Sequence, residues 1–126
     1  MATADGPEVL HRLLAAFNDH DLERIMEFFA DGCVLETPAG QHPWGTRFVG
    51  RDEVRAGLAQ RFTGLPDVHY GDDEHWLTDG HGVSRWLLTG TTPAGDRVEV
   101  RGCDLFDLDA DGRITRKDSY WKIVST

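Results

Sequence analysis

Apolar positions follow two different periods along the chain, and the change from one to the other falls near Asp67. Val9, Leu10, Leu13, Leu14 and Phe17 recur at helical spacing, with Pro7 suited to a first turn, which predicts an opening amphipathic helix. Asn18-Asp19-His20-Asp21 interrupts it, Asp21 is placed to cap a second helix, and Leu22, Ile25, Met26 and Phe29 supply that helix's apolar stripe. Gly32 closes the pair. Cys33 to Pro38 reads as a short strand, and a Gly/Pro-rich loop with His42, Pro43 and Trp44 follows. After Gly50, the spacing of Val54, Leu58 and Phe62 predicts a third helix that stops before Gly64 and Pro66.

From Asp67 onward the period is two. It predicts strands at about 68–78, 83–92, 96–108 and 113–123, joined by the Gly-containing turns DGHG, TPAGD and DADG. Helices followed by an antiparallel meander define an α+β domain in which a curved sheet wraps the helices, and residues 1–126 fit one domain.

The last of these turns lies in DLDADGRITRKD, Asp107 to Asp118, whose aspartates fall close to the spacing of a calcium-binding loop. Such a loop needs helices on both sides, whereas the flanking VEVRGCDLF and ITRKDSYW alternate as strands do. A hairpin tip is therefore expected, and its length sets the register. A four-residue loop ending on Gly112 pairs Leu108 with Arg113 and sets Asp104 opposite Lys117, while a three-residue loop sets Asp104 opposite Asp118. Thr115, Lys117, Ser119, Trp121 and Ile123 form the more apolar face of the last strand, and Asp104 is the single charge on its own face, which favours the first register. A three-residue turn at Pro93-Ala94-Gly95 would add Ser84, Trp86 and Leu88 to the Asp104 face, with His75 next to Trp86. Glu36 alternates away from Thr37 and is expected to face outward.

The formal net charge of −9 argues against nucleic acid and anionic membranes as partners. No apolar run approaches the roughly 20 residues of a membrane span, and the N-terminus lacks a basic segment followed by an apolar one, so a soluble, cytoplasmic protein is expected. Cys33 and Cys103 lie in apolar, strand-like contexts that suit free thiols. The six histidines show no HExxH or comparable ligand spacing, and Asp73 with His75 is a weak signal alone, so neither a metal nor another cofactor is expected.

Three stretches, AAFNDHDLERIMEFFADGCVLETP, FVGRDEVRAGLAQRF and GCDLFDLDADGRITRKDSYWK, together resemble the SnoaL-like branch of the nuclear transport factor 2-like superfamily over nearly the whole chain. The resemblance implies a cone-shaped α+β barrel, with three N-terminal helices on a strongly curved, mostly antiparallel sheet around an apolar pocket, often in a homodimer. The superfamily includes ketosteroid isomerase, polyketide cyclases and limonene epoxide hydrolase, so the fold names no reaction. Leu13 falls where the isomerase has its oxyanion-hole tyrosine and Thr37 where it has its aspartate base, while Ser119 replaces the last-strand aspartate of the epoxide hydrolase. Asp104 alone matches, at the position of the isomerase's oxyanion-hole aspartic acid and of the acid/base aspartate of SnoaL-type cyclases.

Two functions fit these residues. In the first, Asp104 is a general acid/base acting on a small apolar carbonyl compound by isomerisation, cyclisation or dehydration, with Lys117 or His75 stabilising a developing enolate. The pocket for such a ligand would be lined by Leu13, Phe17, Thr37, Phe62, Trp86, Phe106, Ser119 and Trp121. In the second, the same pocket holds a small apolar or aromatic ligand without turnover, or the domain serves as a dimerisation module.

Overall fold

The computed structural model of the chain describes residues 6–125. Helix α1 spans Glu8–Asn18 and buries Val9, Leu10, Leu13, Leu14, Ala16 and Phe17, as their spacing predicts. The Asp21 carboxylate accepts a hydrogen bond from the Arg24 amide and starts α2, Leu22–Met26. This helix is shorter than its apolar stripe suggests. Phe29, expected on that stripe, instead opens strand β1, Phe29–Glu36, where it pairs with Ile114. The Arg51 guanidinium donates to the carbonyls of Met26 at 3.0 Å and Phe29 at 2.6 Å, satisfying acceptors that the ended helix leaves free.

The loop after β1 contains an unforeseen short strand, β2, Arg47–Val49, paired antiparallel with β1. Gly50, at φ +88°, turns the chain into α3, Arg51–Gly64. The remaining strands are β3, His69–Thr78; β4, His81–Thr91; β5, Arg97–Leu108; and β6, Ile114–Trp121. Asp79 and Gly80, both at positive φ, make a two-residue turn between β3 and β4. Pro93-Ala94-Gly95 makes the expected three-residue turn between β4 and β5, so Ser84, Trp86 and Leu88 lie opposite Asp104, Gly102 and Val100.

The sheet order is β2-β1-β6-β5-β4-β3, with β1 and β6 parallel and all other pairs antiparallel. Two expectations are corrected here. The sheet is open rather than a closed barrel: β2, one of its edges, has three residues and offers little backbone to reach β3 at the other edge. Nor do all three helices precede the sheet, because α3 enters after β1 and β2. The helices cover one sheet face, α1 against β3 and β4 and α3 against β1 and β2, and the core lies between.

Two β-bulges decide which side chains reach that core. In β3, Gly71 pairs with Leu87 but Glu74 pairs with Arg85, so an extra residue sits at Asp72, where φ is +49°. Tyr70 before the bulge and Asp73, His75 and Leu77 after it therefore share the inner side. In β6, Leu108 pairs with Ile114 but Asp107 pairs with Arg116, which makes Thr115 the extra residue. The hairpin loop is the three-residue Ala110–Gly112, closed by the Asp109 amide donating to the Arg113 carbonyl at 2.8 Å, not the expected four-residue loop. Alone, that loop would bring Asp118 inward. The bulge reverses the alternation, so Asp104 lies opposite Ser119, Phe106 opposite Lys117, and Lys117 still faces in. Ile114, expected on the outer face, is fully buried for the same reason.

Trp86, the largest fully buried side chain, lies across the strand from Gly102. A Cβ on Gly102 would stand 2.5 Å from both the indole ring and the Tyr120 carbonyl oxygen, so only glycine admits the ring. Gly102→Ala is expected to cost about 1–3 kcal/mol, read from urea unfolding, with a shifted tryptophan emission from the displaced indole.

Candidate functional site

The inner face carries a row of polar residues across four strands: His75, Ser84, Asp104 and Ser119 are successive partners on β3, β4, β5 and β6. Asp104 is 3% exposed and is held by three donors. Trp86 Nε1 donates to its Oδ2 at 3.0 Å, while the Ser119 hydroxyl at 2.5 Å and Lys117 Nζ at 3.1 Å donate to Oδ1. Lys117, 7% exposed, also donates to Ser119 Oγ at 2.8 Å, and its ammonium lies 5.3 Å from the centre of the Phe17 ring. Charge-assisted hydrogen bonds replace the hydration that both ions lose. Among the described residues, no buried side-chain polar atom lacks a hydrogen-bond partner.

This cluster lies at the wall of a cavity of about 270 Å³. Asp104, Lys117, Ser119 and Trp86 supply one side; Phe17, Leu35, Phe48 and Leu58 add apolar walls; Thr37, Pro38, Ala39 and Thr46 come from the segment after β1. Tyr70, Arg61 and Trp121 complete it, the Arg61 guanidinium lying 4.6 Å from the centre of the Trp121 ring. Burial pushes the Tyr70 phenol well above its ordinary range; the Arg61 guanidinium opposes the rise and the Asp104 carboxylate adds to it. Tyr70 is thus a neutral hydroxyl in a cavity that also holds two cations and one carboxylate.

Of the expected site residues, Asp104, Lys117, Phe17, Thr37, Trp86, Ser119 and Trp121 come together around this cavity. Four do not line it. Leu13 is 2% exposed inside the helix–sheet core, and Phe106 is buried there too. Phe62 turns toward Phe17 and His20, with ring centres 6.3 and 4.8 Å away. His75 reaches Ser84 and Asp73 instead of Asp104, because the two-residue Asp79-Gly80 turn sets it opposite Ser84 and not next to Trp86 as expected. Glu36 does face away from the cavity, yet it is 1% exposed, paired with Arg47 at 2.6 Å and with Arg116.

Arg61 and Tyr70 were not foreseen. Arg61 follows Leu58 by three residues and so shares its helix face, a signal present in the sequence. Tyr70 is hidden by the bulge, since strict alternation counted back from His75 turns it outward. Asp118 lies on the other face, where it accepts a hydrogen bond from the Tyr120 hydroxyl.

A family model of the SnoaL-like domain matches residues 10–117. The chain belongs to this family. No curated protein matches it significantly in sequence. Among solved structures, it is similar to a candidate polyketide cyclase from Pseudomonas putida KT2440, with TM-score 0.83, 16% identity, and 98% of this chain and 94% of the other covered. It is also similar to the epoxide hydrolase/cyclase-like enzyme SalBIII of pyran ring formation in salinomycin, with TM-score 0.74, 21% identity and coverage of 92% and 89%. A third similar structure is a Mycobacterium tuberculosis protein in complex with estradiol-17β-hemisuccinate, with TM-score 0.76, 22% identity and coverage of 91% and 92%. At these identities the likeness is one of fold, and the SnoaL-like domain here has the α+β architecture of those proteins.

Two predictions test the site's energetics. Lys117→Met leaves the Asp104 carboxylate buried without its counter-ion and is expected to destabilise the domain by about 3–5 kcal/mol in urea unfolding. Asp104→Asn with Lys117→Met, which keeps an acceptor for Trp86 and removes both charges, is expected to recover most of that loss. Because the Tyr70 pKa is raised by folding, its contribution to stability is complete below the unfolded phenol value of about 10 and falls away as pH rises toward the folded value. Tyr70→Phe should therefore flatten the alkaline limb of the stability–pH curve, measured by thermal unfolding across that range.

Proposed function

We propose that this SnoaL-like domain binds a small, largely apolar carbonyl compound and moves a proton at the carbon beside the carbonyl, in an isomerisation, cyclisation or dehydration. The observation that carries this reading is the uneven occupancy of the Asp104 carboxylate. Oδ1 takes two donors, whereas Oδ2 takes only the Trp86 N–H, so one of its two lone-pair sites is left for a substrate proton at the cavity wall. Asp104 is then the general base, and Lys117, with the Arg61 guanidinium and the neutral Tyr70 hydroxyl, stabilises negative charge developing on the substrate oxygen. The cavity volume, just under the roughly 300–1,000 Å³ usual for ligand pockets, favours a small substrate.

Family membership and the fold shared with cyclase-like proteins support chemistry of this kind. A second reading, ligand binding without turnover, is favoured by the three donors on Asp104, which fix its carboxyl group in place, and by a structural neighbour that carries a small ligand.

Proton exchange separates the two. Acetophenone and 2-tetralone, incubated with the protein in D2O and followed by proton NMR, are expected to exchange their α-hydrogens faster than in buffer, and Asp104→Asn should remove on the order of 10²-fold or more of that acceleration. Equal exchange by the variant excludes Asp104 as the base. Probe binding, seen as tryptophan quenching, with no exchange above buffer would instead establish the binding-only reading for these ketones.

A further inference from the structure

A second group of side chains lies at the other end of the polar row, outside the cavity. His75 Nδ1 is 2.8 Å from Ser84 Oγ, which fixes the ring and turns Nε2 toward Asp73 Oδ2 at 2.7 Å. His11, on α1, brings Nδ1 to 3.5 Å from the same oxygen, and the two imidazole rings meet edge to face with centres 5.6 Å apart. One donor atom from each residue falls within 4.8 Å of the others, the one such convergence among the described residues. The geometry points to a divalent transition-metal site with His11 Nδ1, His75 Nε2 and a carboxylate oxygen of Asp73 as ligands.

A hydrogen bond between His75 and Asp73 accounts for one imidazole only. His11 is 68% exposed and free to point into water, yet its Nδ1 turns to the same oxygen at a distance longer than a good hydrogen bond. Around a tetrahedral ion with bonds of 2.0–2.1 Å, ligand atoms stand about 3.3 Å apart, so the set is completed by opening the 2.7 Å His75–Asp73 contact slightly and moving the exposed His11 side chain inward. Two features prepare the other ligands. The register set by the Asp79-Gly80 turn puts Asp73 and His75 together on the inner side of β3, facing α1, and the Ser84 hydroxyl occupies the ring nitrogen that does not bind the ion.

Two imidazoles and one carboxylate suit zinc, copper or nickel and fit magnesium or calcium poorly. Water fills the remaining positions on the exposed side of His11. The bound ion would join α1 to the edge strand β3, and none of the three ligands lines the Asp104 cavity.

The test uses untagged protein stripped with chelator and titrated with Co2+ as a spectroscopic probe, then with Zn2+ in competition. One equivalent of Co2+ is expected to give visible d–d absorption that Zn2+ abolishes, together with a rise in Tm. His11→Ala changes only an exposed helix side chain, so it should fold normally and still weaken binding at least tenfold. Ser84→Ala should weaken it by about 10–100-fold through loss of ring orientation. No binding by the wild type, or equal binding by wild type and His11→Ala, overturns the proposal.

Discussion

The Asp104–Lys117 pair is the constraint around which the inner face of the sheet is arranged. Removing two ions from water costs several kcal/mol for each, and Coulomb attraction offsets that only when the remaining donors and acceptors are also satisfied. Trp86 and Ser119 provide those partners, and each depends on something further away. Trp86 needs the bare backbone of Gly102 beneath its ring, and Ser119 needs the β5–β6 register that Thr115 sets. The cavity that opens onto the pair is thus bounded on one side by groups whose positions are fixed by the ions themselves.

The opposite face offers an instructive contrast. Glu36 is as deeply buried as Asp104, but its partners are two arginines, Arg47 and Arg116, each about half exposed. Guanidinium groups spread over a carboxylate occupy its lone pairs and leave little acceptor capacity. Asp104, with one lysine and two neutral donors, keeps an unoccupied position beside open space. Burial of a carboxylate is common to both; a free acceptor position belongs to one.

Much of this was legible in the sequence where local signals are strong. The stripe from Val9 to Phe17, the Asp21 cap and the Pro93–Gly95 turn all left patterns in the types of residue they use, and the structure has them as expected. What stayed hidden was set by long-range partners. Phe29 carries a helical spacing but is drawn into β1 by Ile114 and by the Arg51 hydrogen bonds. Thr115 is an ordinary strand residue and marks no bulge, while the Gly71-Asp72-Asp73 run is a weak break in the alternation that does not say which residue is the extra one. Tyr70 therefore went unnoticed, and the two-residue turn before β4 sets His75 opposite Ser84 rather than beside Trp86. Lys117 reached the inner face by a route other than the one expected, because a shorter loop and an extra residue cancel in parity.

That cancellation bears on how such a domain changes over generations. With Thr115 present, β6 offers Lys117, Ser119 and Trp121 to the cavity; with one residue fewer at that point, the strand beyond it would offer Arg116, Asp118 and Tyr120 instead. A single in-frame codon lost or gained in one hairpin can exchange a whole set of inward groups while the strand order stays the same. For the inner face of β6, a one-residue insertion or deletion is thus a larger step than a point substitution, which changes one side chain and leaves its neighbours in place.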